Sequence, residues 1–148
     1  MKNLFSALLA CGLFLQIPAG LAQQSEKFGK YEVHYNVINA NLIPAQVAQG
    51  YGIQRSSSRA LINITVMDTS HGEYGMAVPA TVTTSTINLT GQRRNVEMRG
   101  VKEADGAIYY IGELPIANLE TYNFTVNIKP EGETKPLELQ FRQQFYTE

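Results

Sequence analysis

Lys30-Tyr31-Glu32-Val33-His34-Tyr35-Asn36-Val37 carries an apolar or aromatic residue at every second position. A two-residue period puts Tyr31, Val33, Tyr35 and Val37 on one face of an extended strand. Lys30, Glu32, His34 and Asn36 fall on the other, as in a sheet with one buried side. The same grammar recurs down the chain. Arg59 to Asp68 is denser, with Ala60, Ile62, Ile64 and Val66 on one face, and suits a central strand. Met76 to Thr90 changes apolar parity, Val78, Ala80 and Val82 being even and Ile87 and Leu89 odd. That change predicts a bend, bulge or switch of sheet near Thr84-Ser85, and Pro79 fits only an edge or a bulge.

Asp105-Gly106, flanked by Glu103-Ala104 and Ala107-Ile108, predicts a hairpin on a two-residue turn. It would set Val101 opposite Tyr110 and Lys102 opposite Tyr109. Tyr122, Phe124, Val126 and Ile128 alternate again, Pro130-Glu131-Gly132 turns the chain, and Leu137, Leu139 and Phe141 form a closing strand. No amphipathic helix exceeds two turns. About seven strands separated by turn signals describe an all-β, two-sheet antiparallel β-sandwich.

Composition narrows the function classes. Of 148 residues, 12 are Lys or Arg and 13 are Asp or Glu, which removes the basic excess of an electrostatic nucleic-acid binder. One Cys excludes a disulfide framework and a thiolate zinc site. Residues 1–22 read as a cleavable secretory signal: Lys2, an apolar run from Leu4 to Leu15, then Ala19-Gly20-Leu21-Ala22 before polar Gln23. Gly12, Gln16 and Pro18 keep this run short of the roughly 20 apolar residues that span a bilayer, and no later segment approaches that length. Leu8-Leu9-Ala10-Cys11 has the look of a lipobox, so lipidation of Cys11 is the rival fate. Cleavage after Ala22 is the more economical, because processing at Cys11 leaves Leu13, Phe14, Leu15 and Ile17 exposed. The expectation is a single domain over 23–148, periplasmic or secreted, with no transmembrane segment.

Ile116-Ala117-Asn118-Leu119-Glu120-Thr121-Tyr122-Asn123-Phe124 resembles the tyrosine corner of immunoglobulin-like and fibronectin-type domains. The resemblance implies that Tyr122 bonds its hydroxyl to backbone just upstream, with Phe124 where antibodies place an inter-sheet Cys. Lacking both that Cys and Trp, the chain departs from the antibody pattern; an immunoglobulin-like sandwich in the broad sense remains.

The connection Asn39 to Ser58 is long for a structureless loop. Pro44 at a start, Ala45 to Gln49, and Gly50 at a stop predict a short helix. Its Val47, Ala48 and Tyr51 would share a face and cap an open end of the sandwich. Val33-His34-Tyr35-Asn36, Pro44 with Ala48, Tyr51-Gly52-Ile53 with Arg55-Ser56, and Asn63-Ile64 with Val66 are similar to a family of small exported gammaproteobacterial proteins of unknown function. That likeness implies an exported bacterial protein and carries no activity. Tyr51, Arg55 and Arg59 are the candidate binding residues, because Tyr and Arg are enriched at interface hot spots. The competing reading makes Tyr51 part of a structural plug.

Catalytic chemistry finds little support. His34 sits at a polar strand position. Asp68-Thr69-Ser70-His71-Gly72 gathers Asp, Ser and His in one loop, whereas triads converge from separate elements. Asn63, Asn88 and Asn123 begin formal sequons inside expected strands, where acceptors seldom sit. Arg93, Arg94, Arg99 and Lys102, interspersed with Glu97 and Glu103, read as a solvated edge hairpin. The expectation is an exported, non-catalytic module that binds a protein partner and needs no cofactor. Its rival is a small periplasmic copper-binding protein holding Cu(I) through Met67, His71 and Met76, with Met98 as a candidate fourth ligand.

Overall fold

The computed structural model describes residues 24–148; the signal segment and Cys11 lie outside the described residues. Ten strands form two antiparallel sheets: β1 (Gln24–Phe28), β2 (Tyr31–Asn39), β3 (Arg59–Asp68), β4 (Met76–Ala77), β5 (Ala80–Asn88), β6 (Arg93–Val96), β7 (Met98–Lys102), β8 (Ile108–Pro115), β9 (Thr121–Pro130) and β10 (Leu137–Gln144). One sheet runs β1-β2-β3-β8-β7 with β4 beside β3, and the other runs β10-β9-β5-β6. Setting β1 and β4 aside, this is the ABED and GFC order of the immunoglobulin-type Greek key, with one strand added to the second sheet. The three strands beyond the expected seven are short or peripheral. β1 folds back on β2, β4 is two residues long, and the stretch read as one hairpin arm divides into β6 and β7.

The sandwich interior follows from the two-residue period. Val33, Ala60, Ile62, Ile64 and Val66 of the six-stranded sheet meet Phe124, Val126, Ile128 and Leu139 of the other, all essentially inaccessible to water. Phe124 stacks on Phe141 at 4.6 Å between centroids and 4° between planes, and Phe145 packs edge-on to it at 6.3 Å. Such burial, at about 25 cal/mol per Å² of apolar surface, is the main force holding the sheets together.

Three local expectations are corrected. The chain changes sheet at Val78-Pro79, between β4 and β5, and not at Thr84-Ser85. β5 keeps one parity throughout: Thr84, Thr86 and Asn88 are buried, while Leu89 is 66% exposed. Polar side chains occupy core positions there, so apolar parity pointed to the wrong face. The hairpin pairs Lys102 with Ile108 and Val101 with Tyr109, one residue off the expected register. Glu103 N donates to Ala107 O (2.9 Å) and Gly106 N to Glu103 O (3.1 Å), closing a three-residue loop with Gly106 at φ +93°. Asp105 Oδ1 takes the Ala107 amide at 3.0 Å, so Asp-Gly here builds a turn with a glycine bulge instead of the two-residue form. Finally, Arg93 and Arg94 border the four-stranded sheet while Arg99 and Lys102 border the other; the basic cluster is not one hairpin.

The corner at the start of β9 keeps a backbone bond from Ala117, just upstream, to the Tyr122 hydroxyl and adds a carboxylate to it. Tyr122 is buried and donates its hydroxyl to Glu120 Oε2 at 2.5 Å. Asn88 Nδ2 donates to the other oxygen of Glu120 at 2.6 Å. The Tyr122 bond chiefly, and then that of Asn88, holds the Glu120 carboxyl below its usual range. Burial first, then the Glu120 bond, pushes Tyr122 up to about 12.

A depressed carboxyl contributes stability that is complete above the unfolded value of about 4.3 and is lost as pH falls through the folded one. The phenol contributes below its unfolded value of about 10 and fades as pH rises toward its folded value. Thermal melts across pH should therefore fall off below about pH 4.5 and again above about pH 10. Glu120→Gln should flatten part of the acid limb, and an unchanged limb would show that this pair does not set it.

Candidate functional site

The outer face of the six-stranded sheet is covered as well as the inner one. Between β2 and β3 the chain forms a 3₁₀ turn (Ala40–Leu42) and the helix α1 (Ala45–Tyr51). The helix stops at Gly52, not Gly50. Gly52 takes φ +66°, its amide faces Gln49 O (3.3 Å), and Ile53 N reaches Ala48 O at 2.8 Å. That is the paired-bond stop in which a left-handed residue satisfies the last carbonyls, with Ile53 and Ala48 in contact beneath it. Gly50 lacks the positive φ such a stop requires.

Ala40, Ile43, Ala48 and Ile53 of this strap pack against Leu61 of β3 and Ile111 of β8. The helix therefore lies on the sheet's outer face and does not cap an open end. It leaves an apolar cavity of about 320 Å³, with Leu42, Val47 and Tyr51 on the strap facing Asn63, Val101 and Tyr109 on the strands. Two further depressions border it on the same face. One, of about 250 Å³, shares Leu61 and Ile111 with the cavity and holds Arg59, Arg99, Glu97 and Glu113; the other, of about 570 Å³, shares Tyr109. Together they form one groove along β3, β8 and β7.

The three residues singled out from the sequence have different fates. Tyr51 is half-buried, and its hydroxyl donates to Glu103 Oε1 at 2.5 Å. That bond is the main reason its phenol is raised above the ordinary range. Arg99 Nη2 donates to the Tyr51 carbonyl, so the end of α1 is tied to β7 and to the β7–β8 turn. Tyr51 is a wall of the cavity and a tether. Arg55 is exposed and donates to Asn41 O at 3.1 Å. Arg59 is half-buried, its Nε 3.6 Å from Glu113 Oε1 and without a hydrogen-bond partner. The same Glu113 oxygen takes the Gln54 amide at 3.1 Å. Tyr51 and Arg59 thus border the groove, and Arg55 braces the strap from outside.

Met67 and Met76 line the larger depression, and the imidazole that joins them there is His34. His71 sits exposed in the turn after β3. Among the described residues no cluster of three or more His, Cys, Asp or Glu side chains could hold a metal ion. In the Asp-Ser-His loop, Ser70 Oγ donates to Asp68 Oδ1 at 2.5 Å. That bond, followed by the one from the Ser70 amide, keeps the Asp68 carboxyl low. Both bonds run from Ser70 to the residue two positions before it, the local pattern by which an Asp side chain shapes a turn.

Asn63, Val101, Tyr109 and Leu42 escaped the sequence reading, although a signal existed. Ala60-Leu61-Ile62 is a run of three consecutive buried residues, which a strand covered on one face alone does not carry.

Comparison with known proteins agrees with this architecture. A crystal structure of a DUF4426 family protein from Pseudomonas aeruginosa PAO1 superposes with a TM-score of 0.71 at 35% identity, covering 84% of this chain and 94% of that one. No curated protein matches the sequence. The family model described as "Domain of unknown function (DUF4426)" matches residues 25–148, and the chain belongs to that family.

Proposed function

We propose that the chain is an exported, non-catalytic binding domain of the periplasm that holds a protein partner in the groove on the outer face of its six-stranded sheet. The cavity between α1 and that sheet carries the reading. A concave apolar site walled by Tyr51 and Tyr109, with Arg59 and Arg99 in the depression beside it, is the form that interface anchors fill. Leu42 and Val47 stand at its rim 59% and 45% exposed, apolar surface that a partner would remove from water. Residues 1–22, read as a signal, would deliver the domain, with the recovered chain beginning at Gln23.

The test is recovery of the protein from its own compartment with whatever it carries, followed by the Val47→Arg variant. Val47 is an exposed helix position, so the substitution should leave the melting temperature nearly unchanged. It should lower recovery of the partner at least tenfold, about 1.4 kcal/mol. Equal recovery by both proteins would remove the groove from consideration.

A further inference from the structure

We propose that the end of the sandwich bearing Leu89, Leu119 and Tyr146 rests on an anionic lipid bilayer, with these side chains in the headgroup layer and Arg93 and Arg94 against lipid phosphates. This contact is separate from the groove. Leu89 follows β5, Leu119 precedes β9 and Tyr146 follows β10, and all three are more than half exposed. Exposed apolar residues scattered singly are ordinary, but here the hydrogen bonds gather them. Leu119 N donates to Phe145 O, next to Tyr146, at 2.8 Å. Asn88 Nδ2, next to Leu89, donates to the carboxylate of Glu120, next to Leu119, at 2.6 Å. Leu119 is also the one described residue other than glycine with a positive φ, +64°. A left-handed leucine meets a steric penalty that Gly or Asn largely escapes, and no packing offsets it, because the side chain is exposed.

Charge and chain direction identify the occupant. Arg93 pairs with Ile87, just before Asn88 and Leu89, and the charge of Arg94 reaches Glu120. Arg55, Arg59 and Arg142 also lie toward this end, whereas every lysine from Lys27 on lies toward the other. The carboxylates here are Glu113 beside Arg59, Glu120 bonded to Tyr122 and Asn88, and Glu148. Arginine forks match phosphate oxygens, and tyrosine sits readily where one end is apolar and the other wet. A second copy docked end to end would set like charge against like. An acidic protein would answer the charge as well, but β1 begins at Gln24, opposite Tyr35, on the side of β2 that leads to these tips. The chain that carries the apolar run Leu4 to Leu15 therefore enters the domain from this end, the end that a bilayer holding that run would face.

The probe is a vesicle of phosphatidylglycerol and phosphatidylcholine in equal parts, with phosphatidylcholine alone as the neutral control. The protein recovered from its own compartment should sediment with the first and not with the second, and raised salt should release it. Leu119→Asn, which suits the left-handed backbone, should melt no lower than the parent and bind the anionic vesicles about fivefold more weakly. Leu89→Ser, in a different turn, should weaken binding to a similar degree. Arg93→Gln and Arg94→Gln should each weaken it about fivefold, the effect of one basic side chain at a charged surface. Sedimentation with neither vesicle or with both alike overturns the proposal, and so does binding that survives Leu119→Asn and Leu89→Ser. Loss of a protein partner in those two variants with vesicle binding intact would make this end a protein contact and overturn the bilayer. Either result leaves partner loss in Val47→Arg to stand by itself.

Discussion

Phe124→Ala should lower the unfolding free energy by about 3–5 kcal/mol, the range for removing a buried aromatic ring. The ring is 1% exposed and lies on β9, between strands that hydrogen-bond to both of its neighbours. It stacks on Phe141, and Phe141 in turn lies 4.7 Å from Tyr35 on the opposite sheet. Phe145 meets both Phe124 and Tyr122 edge-on. Removing Phe124 therefore empties the middle of a chain of rings that links the sheets, and backbone paired on both sides has little freedom to close the void. In denaturant the midpoint should drop with an unchanged slope, and the melting temperature should fall by roughly 10–20 °C. Phe124→Leu, which keeps most of the volume, should recover more than half of the loss. A cost below about 1 kcal/mol would show that the site collapses and that the aromatic chain is dispensable.

Phe124 is also where sequence and structure meet most closely. It stands two residues after Tyr122 on a strand whose alternation is unbroken, and both its burial and its place opposite the other sheet follow from that period. Val33, Ile62 and Leu139 obey the same rule. The rule breaks where a core position is filled by a polar residue. Thr84 and Thr86 face the interior of β5, and only their strand partners on β9, Val126 and Phe124, reveal it. It breaks again at Leu61, whose outward side chain is buried beneath the strap that folds back from the connection leading into β3. The groove could not be read in advance for the same reason. Asn63 looks like any strand asparagine until α1, folding back from the connection that leads into β3, and Val101, far off in sequence, close over it. Tyr51 was recognisable as a residue of interest by its type, but its bonds to Glu103 and Arg99, which tie the end of α1 to β7 and the turn after it, depend on a closure that no local pattern shows. Long-range closure, which local periodicity does not encode, decides both outcomes.

Gly112→Ala should cost about 2–3 kcal/mol, at the upper end of what overpacking produces, and Gly112→Val should yield little folded protein. Gly112 is buried in β8 opposite Met98, the first residue of β7. Just upstream, at Glu97, the chain leaves β6 of one sheet and enters β7 of the other. A Cβ on Gly112 would stand 2.6 Å from Met98 Sδ, 2.8 Å from Glu97 O and 2.8 Å from Val96 Cγ1. The thioether can swing aside, since methionine is flexible. The Glu97 carbonyl belongs to the crossing backbone, and Val96 is a stiff β-branched residue of the core. Relief must come from shifting the crossing itself, which carries β7 and with it Val101 and Arg99 of the groove. Gly100→Ala provides the contrast. Its Cβ would come 3.3 Å from Tyr110 Cε1 on an exposed edge, a side-chain contact that can yield, so the change should stay within about 0.5 kcal/mol. Calorimetric melts of the two alanine variants separate the cases. Similar losses at both positions would mean that glycine in these strands answers to propensity alone and that the crossing is not held by close approach at Gly112.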